Sequence, residues 1–118
     1  MSEVLESAKA HFRDKLSGEL LSVEVPEWLI DGKPVKIYYK PSLNFAQQEK
    51  VLALADQNKK AEAIVQSLIE RSLDENGQKM FKQVNRLELM KQIDPAIISR
   101  IVGEMSGDDE TMDDYEKN

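Results

Sequence analysis

Residues 21–39 read LSVEVPEWLIDGKPVKIYY, and here the apolar spacing of the chain changes from three and four residues to two. Leu21, Val23 and Val25 alternate with Ser22 and Glu24, the pattern of a strand with one face buried. Pro26 is expected to end that strand, and Trp28-Leu29-Ile30 follows it as an apolar patch. Asp31-Gly32 is a strong two-residue turn signal, because a tight hairpin turn needs positive φ at both central positions. Val35-Lys36-Ile37-Tyr38-Tyr39 then reads as the returning strand. The expected unit is an antiparallel hairpin at about residues 20–40. Alone in water such a hairpin is marginal, so it must lie on helices.

Helices are what the flanking sequence offers. Residues 2–16 place Val4, Leu5, Ala8, Phe12 and Leu16 on one helical face, closed by Ser17-Gly18. After Pro41, either Ser42 or Asn44 can cap a helix over about 44–58, with Phe45, Val51, Leu52, Leu54 and Ala55 expected inward. A second helix over about 60–73 carries Ala61, Ile64, Val65, Leu68 and Ile69 as a stripe. Asp74-Glu75-Asn76-Gly77 marks a reversal. Val84, Leu87, Met90 and Ile93 suggest a short helix. Asp94 then caps a last one, with Pro95 at its first position and Ile97, Ile98, Ile101, Val102 and Met105 on one face. The expected fold class is α+β: a predominantly helical single domain over 1–105 with one small hairpin, followed by an acidic tail over 106–118. Of the chain's net charge of −6, that tail holds −5, from six acidic residues against Lys117. Its composition predicts a disordered, flexible segment.

Composition narrows the function. With 118 residues, 41% of them apolar and 32% charged, the chain suits one modest core. No apolar run approaches the roughly 20 residues of a membrane span, so no membrane partner is expected. The N-terminal MSEVLESAKAHFRDK has no apolar signal core, and the chain has no cysteine, which together predict a cytoplasmic protein. The acidic balance argues against nucleic acid as a partner, since Lys33, Lys36 and Lys40 form the only basic cluster and read best as a guarded strand edge. His11 is the sole histidine, and with Asp14 it falls short of the three or four ligands of a metal site. The tail's DDETMDD lacks the glycine turn and terminal glutamate of a calcium loop. Without a phosphate loop or nucleophile constellation, neither catalysis nor a cofactor is expected. Protein contacts remain, and Trp28, Tyr38 and Tyr39 are aromatic candidates for them. The tyrosines alternate faces on the strand, so one of the two should point outward. Ile97 and Ile101 stand for the last helix's stripe, which is either core or a client groove.

The stretch VEVPEWLIDGKPVKIYYK (23–40), leading into a helix introduced by Pro41-Ser42, resembles the tail assembly chaperones of lambda-like long-tailed bacteriophages. ERSLDENGQKMF (70–81) and the acidic tail ending Glu116-Lys117-Asn118 agree with that family in order and spacing. The resemblance implies a phage or prophage protein that binds the tape-measure protein and keeps it soluble. It further implies that the protein helps recruit tail-tube subunits, self-associates, is not an enzyme, and is absent from the finished tail. It also implies a programmed ribosomal frameshift that appends a C-terminal extension to a minority of copies. Glu-Lys-Asn can be encoded GAA AAA AAC, which contains the slippery heptamer A AAA AAC, so Lys117 and Asn118 are expected to mark the slip. The alternative reading is a small regulator or antitoxin-like protein. In that case residues 84–105 form a helix-turn-helix, with Arg86, Lys91 and Arg100 as its cations.

Overall fold

The computed structural model describes residues 2–106. Five helices and one two-stranded sheet follow in the order α1 (Ser2–Ser17), β1 (Leu21–Ile30), β2 (Lys33–Tyr39), α2 (Phe45–Asp56), α3 (Lys60–Arg71), α4 (Arg86–Lys91) and α5 (Pro95–Met105). A 3₁₀ turn at Gln83–Asn85 leads into α4. The α+β, mostly helical architecture is the one expected. The tail's expected flexibility falls outside the described residues.

The strands pair antiparallel through a turn in which Asp31 (φ 54°) and Gly32 (φ 78°) both adopt left-handed backbone, as a primed turn requires. Pro26 does not end β1. The register runs Leu29↔Pro34 and then Val25↔Val35, leaving Pro26, Glu27 and Trp28 with no partner on β2. A proline has no N–H to give a ladder, so a bulge is where a strand tolerates one. The bulge also resets the alternation. Val23 and Val25 face the core, and three residues later Trp28 rejoins that side, half-buried against the same cluster. On the far edge of β2, Tyr38 exchanges two backbone hydrogen bonds with Leu73 (2.9 and 2.7 Å), so the chain after α3 covers that edge for one residue pair.

Helix α3 is the centre of the core. Val65, Leu68 and Ile69 meet Val23, Val25, Ile37 and Tyr39 of the hairpin, Leu89 of α4, and Ile98, Ile101 and Met105 of α5. Local chemistry sets the helix ends. Asn44 Oδ1 accepts from the Gln47 N–H at 2.8 Å while Gln47 Oε1 accepts from the Asn44 N–H at 3.1 Å, a closed capping box for α2. Asp94 Oδ1 accepts from the Ala96 N–H at 2.9 Å, and Pro95 stands at the first position of α5. In the 74–77 reversal, Asp74 Oδ1 accepts from the N–H groups of Asn76 and Gln78, and Gly77 supplies the positive φ of 82°.

Two expected apolar faces are turned differently. On α2, Phe45 is 86% exposed and Leu52 is 54% exposed, and none of that helix's residues is fully buried. Near α4, Val84 and Leu87 are exposed and Leu89 is buried in their place. Six residues make fewer than two turns, so packing against α3 alone chooses the inward face of α4.

Candidate functional site

The five proposed contact residues separate by burial. Ile101 is fully buried and Tyr39 nearly so, which makes both core residues with no surface to present to a partner. Tyr38, Trp28 and Ile97 are half-buried: Tyr38 lies on the opposite face from Tyr39, while Trp28 and Ile97 pack against the core. Lys117 and Asn118 lie outside the described residues.

The exposed apolar surface is elsewhere. Helix α1 contributes no fully buried residue, and Val4 and Leu5 are 76% and 57% exposed. Sixteen residues give a rod of about 24 Å, with Phe12 and Leu16 half-covered and the remainder of its apolar face open. Leu29 and Ile30 at the hairpin tip, Phe45 and Leu52 on α2, and Val84 and Leu87 before and on α4 are further large exposed apolar side chains. Scattered apolar exposure is ordinary on a protein surface. An apolar helix face left uncovered along its length is not, since it forgoes stabilisation that the core does not replace. Between α3, α4 and α5 a pocket of about 100 Å³ is lined by Ile64, Val65, Leu89, Met90, Pro95 and Ile98, among others.

A polar network also escaped the sequence reading. Glu70 and Gln66 on α3 are both buried. Gln66 Nε2 donates to Glu70 Oε2 at 2.9 Å, and Gln66 exchanges hydrogen bonds of 3.0 Å with the Gln83 amide. Lys50 and Lys79 approach the same carboxylate at 3.5 and 3.9 Å. The visible signal was that Gln66 and Glu70 stand four residues apart on the helix that fills the core. Next along, the Arg71 guanidinium lies 5.3 Å over the Tyr39 ring, and its Nη2 donates to the Lys40 carbonyl at 2.8 Å. Burial pushes the Arg71 pKa below its ordinary value, only partly opposed by Tyr39.

Two of the three cations that a helix-turn-helix would need, Arg86 and Arg100, are engaged internally, while Lys91 is exposed. Arg86 pairs with Glu62 at 3.2 Å. Arg100 grips Glu27 in the β1 bulge through both carboxylate oxygens, at 2.5 and 2.7 Å. That bidentate hydrogen bonding holds the Glu27 carboxyl at about 2 and raises the Arg100 pKa. Among the described residues, no group of three or more His, Cys, Asp or Glu is placed to hold a metal ion. No helix among them is long and apolar enough to cross a membrane.

A helix-dominated α+β body, one bulged hairpin and open apolar helix faces define the class of fold. No family model and no curated protein matches this chain. Among solved structures, it is similar to the tail assembly chaperone of bacteriophage HK97, with a TM-score of 0.61 and 22% identity over 89% of this chain and 92% of that one. The chain therefore has the fold of that chaperone along nearly its whole length.

Proposed function

We propose that this protein is a phage tail assembly chaperone that binds the tape-measure protein, keeps it soluble and helps recruit tail-tube subunits. The single observation that supports it best is a fold shared over about nine-tenths of both chains with the tail assembly chaperone of bacteriophage HK97. Such a protein acts by contact, without catalysis or cofactor, in the host cytoplasm. The exposed apolar residues of α1 and α2 suit an apolar helical client, because helix-in-groove recognition rests on anchors at three- and four-residue spacings. Self-association is the second use of the same faces. Trp28, Tyr38 and Ile97 join them as half-exposed contact candidates.

Co-expression with the tape-measure protein tests the reading. The soluble fraction of the tape-measure protein should rise with this chain and fall back with the double variant Phe45→Ser, Leu52→Ser. A tape-measure protein equally insoluble with and without this chain sinks the proposal. The C-terminal frameshift at Lys117-Asn118 has its own test in the gene. An AAG codon at 117 removes the heptamer and with it the proposed extension toward the tail-tube protein.

A further inference from the structure

A cleft of about 310 Å³ opens where the end of β2, the start of α2 and the end of α3 converge. Lys40, Asn44, Glu70, Arg71 and Lys79 line it, with Leu16 of α1 at its border. Three cations face one carboxylate there, on a chain whose net charge is −6. The carboxylate is already engaged. Glu70 accepts from Gln66 and is approached by Lys50 and Lys79, and the Lys79 ammonium also donates to the Glu70 backbone carbonyl at 3.0 Å. No described carboxylate forms an ion pair with Lys40 or Arg71.

Arg71 is the unusual member. Its guanidinium has five N–H donors; one is given to the Lys40 carbonyl, and the Nε is enclosed with no acceptor and out of reach of a ligand, so a partner entering the cleft meets the Nη groups. A desolvated donor without an acceptor is costly, and a cation without a counter-charge more so. The centroid of the Tyr39 ring lies 5.3 Å from the Arg71 guanidinium carbon. What satisfies such a fork is a planar, two-oxygen anion, which it takes bidentately. The positive end of the 12-residue helix α2, at Asn44, faces the same space.

We propose that this cleft binds the side-chain carboxylates of an acidic peptide segment, with Arg71 as the fork and Lys40 and Lys79 as flanking charges. The site stands independently of the chaperone reading. Two sources carry this chemistry: an acidic segment of another protein, or this chain's own residues 107–118, which hold six acidic side chains. Twelve extended residues reach at most about 40 Å, enough to cross a body measuring 51 × 35 × 30 Å along its shorter axes.

The test is fluorescence anisotropy of labelled hexaglutamate against the full chain at low salt, with hexaglutamine as control. Hexaglutamate should bind and hexaglutamine should not, and half-molar salt should weaken the complex because it screens charge. Arg71→Gln should weaken binding about tenfold, the order expected for losing a charge-assisted bidentate pair. Lys40→Gln, at an exposed position where folding is not at stake, should weaken it severalfold. A chain whose six tail carboxylates are changed to amides separates the sources. Tighter hexaglutamate binding by that chain that is abolished when Arg71→Gln is added assigns the cleft to the protein's own tail. Unchanged binding, or a gain that survives Arg71→Gln and so reflects only the lower net charge, assigns it to a separate partner. The site is refuted if neither the wild-type nor the neutralised-tail chain binds hexaglutamate, or if Arg71→Gln and Lys40→Gln both bind as the wild type does.

Discussion

Leu68 and Phe45 are both apolar residues on helices that pack against one another, yet the structure gives them opposite energetic roles. Leu68 is fully buried between the hairpin and α5, whereas Phe45 is 86% exposed at the start of α2. Truncating Leu68 to alanine removes three carbons, worth about 2.4 kcal/mol at about 0.8 kcal/mol each. The surrounding side chains come from three different elements and cannot collapse fully into the space. A cavity term therefore brings the total to roughly 3–4 kcal/mol. With a urea slope of about 1.5 kcal/mol per M, the unfolding midpoint falls by about 2 M. Phe45→Ala removes more carbon but almost no buried surface, so its midpoint should move by no more than about 0.3 M, as for other surface changes. Trp28, the only tryptophan, packs against the core and reports the transition by its fluorescence. If Phe45→Ala costs as much as Leu68→Ala, or if Leu68→Ala moves the midpoint by less than about 0.5 M, the assignment of inward and outward faces is wrong.

Asn44→Ala breaks the capping box of α2 and should cost about 1 kcal/mol in the same urea titration, whereas Asn44→Ser should recover most of it. Gly77→Ala places a Cβ on backbone at φ 82° and should destabilise by about 1 kcal/mol, with Gly77→Asn milder because asparagine tolerates that region. For Glu27 the folded carboxyl sits at about 2 against 4.5 for the free group, so its contribution is complete above about pH 4.5 and is lost as pH falls toward 2. Melting temperatures of wild type and Glu27→Gln should accordingly differ by a constant amount above pH 5 and converge near pH 2. A gap that stays constant down to pH 2 counts against the Glu27–Arg100 pair.

What the sequence made legible was chemistry that acts over a few residues. The Asp31-Gly32 turn, the Asn44 and Asp94 caps and the Asp74–Gly77 reversal all depend on neighbours within five positions, and all stand as expected. Pro26 misled because a proline is compatible with both a strand end and a bulge, and only the pairing with β2 chooses between them. The faces of α2 and α4 misled for a related reason. Leu52 and Leu87 fit a helical stripe as well as Leu54 and Leu89 do, and only packing against α3 decides which pair turns inward. The cleft around Arg71 was illegible for the same cause, since Lys40 and Arg71 are 31 residues apart and meet only after β2 and α3 have docked.

Helix α1 adds no fully buried side chain to the core, so selection for a stable domain barely registers its sequence. Under that selection alone, polar substitutions at Val4 and Leu5 are close to neutral and accumulate by drift, and the apolar stripe erodes. An alignment of relatives therefore distinguishes two histories for this helix. A stripe that persists among relatives whose other surface residues have diverged records selection for something α1 touches, and a stripe that has decayed marks the helix as an appendage.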